Sequence, residues 1–132
     1  MAINFLKIEE FASGLGVPLS GTVKPAQGDA VNTNSSGEGV LAQNTAGANK
    51  IAHGLAGQSG TQNGLRISLV RRAYCEDTGA SFTQGGDLWL GTNGKLTQTK
   101  PSASTKLVQH MGHAINATEF YLDVSGYTEQ NA

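Results

Sequence analysis

Leu88-Trp89-Leu90-Gly91-Thr92-Asn93-Gly94-Lys95-Leu96 decides the fold class. Apolar positions stand on both sides of a short polar stretch, and Asn93-Gly94 supplies the positive φ that a tight hairpin turn requires. The segment predicts a β-hairpin. Outward from it, short apolar runs alternate with turn clusters from Val17 onward: Val17 to Val23, Ala30 to Thr33, Val40-Leu41, Lys50 to Leu55, Leu65 to Ala73, Lys95 to Thr99, Leu107 to Met111 and Glu119 to Val124. Leu65 to Arg71 and Phe120 to Val124 show the cleanest alternation of apolar and polar side chains, as half-buried strands do. Strands this short, interrupted this often, predict a mostly β chain folded as a small barrel or sandwich.

An internal echo sharpens that expectation. Gly28-Asp29 and Gly86-Asp87 lie 58 residues apart (86 − 28), as do Gly54-Leu55-Ala56 and Gly112-His113-Ala114 (112 − 54). Between the anchors each half carries an apolar pair, a turn and a hairpin return, Gly39-Val40-Leu41 in one and Gly94-Lys95-Leu96 in the other. Two similar β-meanders packed face to face, each supplying one wall of a shared core, account for the pattern. Gly28, Asp29, Gly54, Gly86, Asp87, Asn93, Gly94 and Gly112 are then structural turn and anchor positions. The boundaries that follow are an arm over 1–16, a β domain over 17–124 with halves of about 28–70 and 86–124, and a flexible tail over 125–132.

Composition narrows the function. With 132 residues, 38% hydrophobic and 6% aromatic, the chain fits one domain with a modest core. A net charge of −1 gives no electrostatic reason to approach nucleic acid or an anionic membrane. Arg71-Arg72 is followed at once by Glu76-Asp77, which suits a solvated strand end. Cys75 is single, so no intramolecular disulfide is expected, and it reads as a small packing residue. No basic segment leads into an apolar run at the N-terminus and no run approaches the ~20 residues of a membrane helix, so a soluble protein made in a cytoplasm is expected.

His110 and His113 have H-x-x-H spacing and His53 falls near their counterparts in the echo, but residues three apart on a strand point to opposite faces. Surface or interface histidines are expected, and no metal. Asp29 and Asp87 each follow a glycine at a turn, where aspartate bonds the local backbone. Gly54 to Gly60 has neither a following helix nor a Lys-Ser/Thr pair, so it reads as a loop and not as a phosphate cradle. Asn34-Ser35-Ser36 and Asn116-Ala117-Thr118 match the glycosylation acceptor pattern, without weight in a chain lacking a secretory signal. The aromatics are not interleaved with basic residues as a stacking platform for bases would be. No catalytic residue and no cofactor is expected.

The first segment, Ile3 to Phe11, is among the densest apolar stretches, with Ile3, Phe5, Leu6, Ile8 and Phe11 set among Lys7, Glu9 and Glu10. It fits neither a helical stripe nor strict alternation, and reads as a short helix or an edge strand. As a terminal arm it either docks on a neighbouring surface or completes its own subunit's core.

Gly86 to Pro101, then Val108 to Ala114, then Phe120 to Asp123 resembles the C-terminal part of small bacteriophage capsid decoration (cement) and head-fibre proteins. Those chains run Gly-Asp, aromatic-Leu, Gly-x-Leu-Thr, Pro, then Val-Gln and Gly-x-Ala, and close on an aromatic strand; Trp89 stands where they usually carry Tyr. The resemblance implies a protein without catalysis, on the outer surface of the virion, bound in many copies to the major capsid protein and stabilising its lattice. A chain this poor in large apolar residues gains stability by burying surface between copies, so a homo-oligomer, with a trimer favoured, is expected. The alternative is a head fibre or a receptor- or glycan-binding module on the same virion surface.

Overall fold

The computed structural model describes residues 3–21, 23–46, 48–60 and 65–132. Met1 and Ala2 of the arm and Thr22 of the Val17 to Val23 run lie outside the described residues. The rest is all-β: β1 (Asn4–Pro18), β2 (Ala30–Thr33), β3 (Gly39–Leu41), β4 (Gly54–Ala56), β5 (Arg66–Glu76), β6 (Asp87–Leu90), β7 (Leu96–Thr97), β8 (Leu107–Ala114), β9 (Glu119–Asp123) and β10 (Thr128–Gln130). They form one antiparallel sheet in the order β3-β2-β4-β5-β9-β8-β6-β7, with β1 on β5 and β10 on β8. The hairpin at its origin forms as its residues dictate. Asn93 and Gly94 both have positive φ, 51° and 77°. The Lys95 N–H donates to the Thr92 carbonyl at 3.1 Å, closing a turn of the primed type that matches strand twist.

The duplication is visible as topology. β3-β2-β4-β5 and β7-β6-β8-β9 run in the same order, and the registers agree: Asn32 faces Val40 as Trp89 faces Thr97, and Val31 faces Gly54 as Leu88 faces Gly112. The hairpins repeat at 57 residues (89 − 32) while β4 and β8 repeat at 58 (112 − 54). The Gly-Asp echo is therefore displaced by one. Gly28, with φ 90°, is matched by Gly85, with φ 77°, and their N–H groups donate to Ala56 and Ala114 at 2.8 and 2.9 Å. Asp29 is matched by Gly86 and not by Asp87. In each half the third strand returns to the free side of the first, so the halves are not simple meanders; the long connections from Leu41 to Gly54 and from Thr97 to Leu107 permit that passage.

The halves meet in two ways. β5 and β9 pair edge to edge from Arg72↔Asp123 to Glu76↔Glu119. The sheet also curls into a half-barrel, so that Leu55 and Val70 of one half pack with Leu88, Leu90, Met111, Phe120 and Leu122 of the other in the main core. Where the first hairpin meets the β6–β7 turn, Ala30 N–H donates to Gly94 and Gly94 N–H to Ala42, both at 2.7 Å. Gln109 on β8 is fully buried, its amide bonding the Ala52 N–H and carbonyl at 2.8 Å and the Ser125 carbonyl at 2.9 Å. A buried amide satisfied on both ends is tolerated, because each polar atom exchanges water for a protein partner.

β5 serves both cores. Ile67 and Leu69 face a smaller cluster with Leu19, Val31 and Ala56, whereas Val70, Ala73 and Cys75 face the main one. The change of face falls at Arg71 and Arg72, where the β1 pairing steps from Phe11↔Val70 to Glu10↔Arg72 and a bulge inserts the extra residue. The tail expectation is corrected at the other terminus: Thr128 to Gln130 pair with Gln109 to Leu107, because alternate backbone groups of β8 beyond its pairing with β6 are free to take a partner.

Candidate functional site

β1 is a fifteen-residue strand lying along the whole of β5, and the apolar residues of the arm divide between two destinations. Ile3 is buried in the main core, and its N–H and carbonyl bond Gln27. Phe5 packs against that core from its edge. Leu6, Ile8 and Phe11 face outward, 54%, 39% and 49% exposed, and Leu15 beyond them is 94% exposed. The arm thus completes its own subunit's core at Ile3 and Phe5 and leaves Leu6, Ile8 and Phe11 in water. Repeated register shifts between Phe5 and Val17 produce the split, since each bulge moves the following side chains to the other face.

Polar groups fix the strand in place. Glu10 lies 3.5 Å from Arg71 Nε and 3.2 Å from Arg72 Nη2, so one carboxylate of β1 is shared by the arginine pair at the β5 bulge. The Tyr121 hydroxyl donates to Glu9 at 2.7 Å, and this hydrogen bond holds the phenol above its ordinary pKa. Among the described residues β1 pairs with no strand except β5. A long sheet edge with exposed apolar side chains is the kind of surface that can take a partner.

The turn and anchor residues serve the scaffold. Gly28 combines positive φ with a close approach: a Cβ there would stand 2.4 Å from Ile3 Cβ. Gly112, at φ 149°, lies so close to the Tyr121 carbonyl on β9 that a Cβ would overlap it. Gly54 lies in β4 against β5, and Gly86 precedes β6 beside the Gln98 amide. Asp29 accepts the Ala26 N–H at 3.0 Å and ion-pairs with Lys95 at 2.7 Å. Asp87 does not cap a turn. It begins β6, and its Oδ1 lies 3.0 Å from His110 Nε2 on β8.

The histidine geometry also departs from expectation. β8 passes from Gly112, opposite Leu88, to His110, opposite Trp89, leaving Met111 as the extra residue. That bulge places His110 and His113 on one outer face, the first beside Asp87 and the Trp89 ring, the second 5.9 Å from the Tyr121 ring. His53 stands apart, its Nδ1 accepting the Thr33 N–H. Among the described residues no group of three His, Cys, Asp or Glu side chains is placed to share a metal ion. Burial pushes the Cys75 thiol up to about 12, so it holds its proton at neutral pH.

Two features were not singled out in the sequence. Leu15 was hidden inside a Ser-Gly-Leu-Gly cluster that reads as a turn, although a large apolar residue between glycines was its signal. The other is an open cavity beside the β6–β7 hairpin, lined by Lys95, Lys100 and Lys106, which come together only through the long connection after β7. The fold and its surfaces define an all-β module with an uncovered apolar edge. No family model matches the chain, and no curated protein matches it.

Proposed function

We propose that the chain is a non-enzymatic decoration (cement) protein on the outer surface of a bacteriophage head, made in the host bacterial cytoplasm and bound as a homo-oligomer, a trimer, to the major capsid protein. The observation that carries this reading is the exposure of four large apolar side chains, Leu6, Ile8, Phe11 and Leu15, on one edge strand. Each such side chain removed from water contributes ~1.5–3 kcal/mol before ordering costs. A trimer over a junction of coat subunits presents these side chains three times, so modest contacts per copy give tight binding that requires an assembled lattice.

The test is binding to expanded, undecorated heads of the phage that carries this gene, read by cosedimentation. Saturable decoration by the native chain, and loss of at least 100-fold in affinity for the triple substitution Leu6→Ser, Phe11→Ser, Leu15→Ser, are expected. Light scattering should report the trimer. A native chain that does not decorate heads, or a triple variant that decorates them unchanged, overturns the proposal.

A further inference from the structure

The β6–β7 hairpin and the connection from Thr99 to Lys106 flank an open cavity of about 400 Å3. Lys95, Lys100 and Lys106 line it with Thr97 and Ser102, and no carboxylate does. Lys95 is neutralised by Asp29. Lys100 and Lys106 have no carboxylate within ion-pair distance among the described residues. Lys100 is instead held with its Nζ 5.2 Å from the centre of the Trp89 ring. Two unbalanced cations at one concavity, in a chain of net charge −1, favour an anion there.

Two further observations fall on the same place. Asn44, which lines the cavity, is 4% exposed; its Nδ2 donates to the Leu90 carbonyl at 2.9 Å while its Oδ1 has no donor. A buried acceptor without a donor is unfavourable, and native structures keep few of them. Thr105, next to Lys106, has φ 61°, a conformation a β-branched residue rarely adopts. Its N–H donates to Asn131 and its carbonyl accepts from Asn49 and Gln130, so the surroundings impose the strain. Strain of this kind fixes the backbone from which Lys106 projects.

We propose that this cavity binds an acidic saccharide, a sugar bearing a carboxylate that engages Lys100 and Lys106. The anionic group answers the two lysines, and the sugar hydroxyls find partners in Thr97 and Ser102. A nucleic acid would need a longer track of cations than two lysines. The volume suits one or two sugar rings and not a protein segment of interface size. The cavity lies away from β1, so this binding stands or falls separately from capsid attachment.

Trp89 is the one tryptophan of the chain, so its emission reports on Lys100 directly. Trigalacturonate titrated into the full chain should give a saturable change in that emission, and neutral maltotriose none. Lys106→Gln should weaken the binding about tenfold or more, the worth of a charge-assisted contact, with melting temperature unchanged. The triple β1 variant should titrate as the native chain does. The proposal is overturned by absence of saturation with trigalacturonate, by a Lys106→Gln chain that binds unchanged, or by an equal response to inorganic phosphate at the same ionic strength.

Discussion

Gly28 and Gly85 occupy equivalent turns, with φ 90° and 77°, yet their surroundings differ. A methyl group at Gly28 would meet Ile3 in the core, whereas nothing lies within 4 Å of one at Gly85. Gly85→Ala should therefore cost only the backbone term, about 1 kcal/mol. Gly28→Ala adds overpacking against Ile3 and should cost about 2–4 kcal/mol. Urea denaturation of the two variants measures the difference, and equal values would mean that Ile3 does not press on this turn. Cys75 gives a second residue-level test. Its pKa is raised by burial from 9.0 to about 12, so the folded state keeps the proton that the unfolded chain releases. The stability it contributes is complete below pH 9 and falls as pH rises from 9 toward 12, by ~1.4 kcal/mol per unit. Cys75→Ala should lack that part of the alkaline slope in unfolding curves taken between pH 8 and 11.

At the scale of elements, β1 begins beside a buried anchor at Ile3 and continues with side chains exposed to water. Ile3→Ala should cost about 2–4 kcal/mol, since it empties part of the core. The triple substitution at Leu6, Phe11 and Leu15 should change stability by less than about 1.5 kcal/mol, because those side chains face water. Thermal melts of both separate the anchoring part from the exposed part, which deletion of the whole arm would confound. The elements that were legible in the sequence are those whose shape comes from local chemistry. Asn93-Gly94 needs no tertiary help to turn, and Phe120 to Val124 alternates because one face is buried. β1 was legible only as one of two alternatives, a short helix or an edge strand, because its register shifts break the two-residue period that identifies a strand. Thr128 to Gln130 carries no apolar signal at all, since β10 forms by completing the backbone hydrogen bonds of β8. The three-lysine cavity was invisible for another reason: its residues are joined by the path of a long connection and not by spacing.

For the whole molecule, the repeated strand order means that neither half owns a complete core. Leu55 and Val70 have their partners in Leu88, Met111 and Phe120, so a fragment ending at Gly79 loses most of the surface that would bury them. Such a fragment should be unfolded by circular dichroism, and mixing it with the fragment that begins at Ala80 should restore β signal. A first half that folds alone would contradict a shared core. The arrangement of β5 bears on how the chain reaches this state. It takes β1 from more than fifty residues earlier and β9 from about fifty residues later, as in Phe11↔Val70 and Arg72↔Asp123. Contacts so distant in sequence make loop closure the slow step of folding. During synthesis, β5 leaves the ribosome with its first partner waiting and its second not yet made. Leu6, Ile8, Phe11 and Leu15 of β1 therefore stand in water from the first moments of synthesis until the sheet is complete, and they stay there when it is.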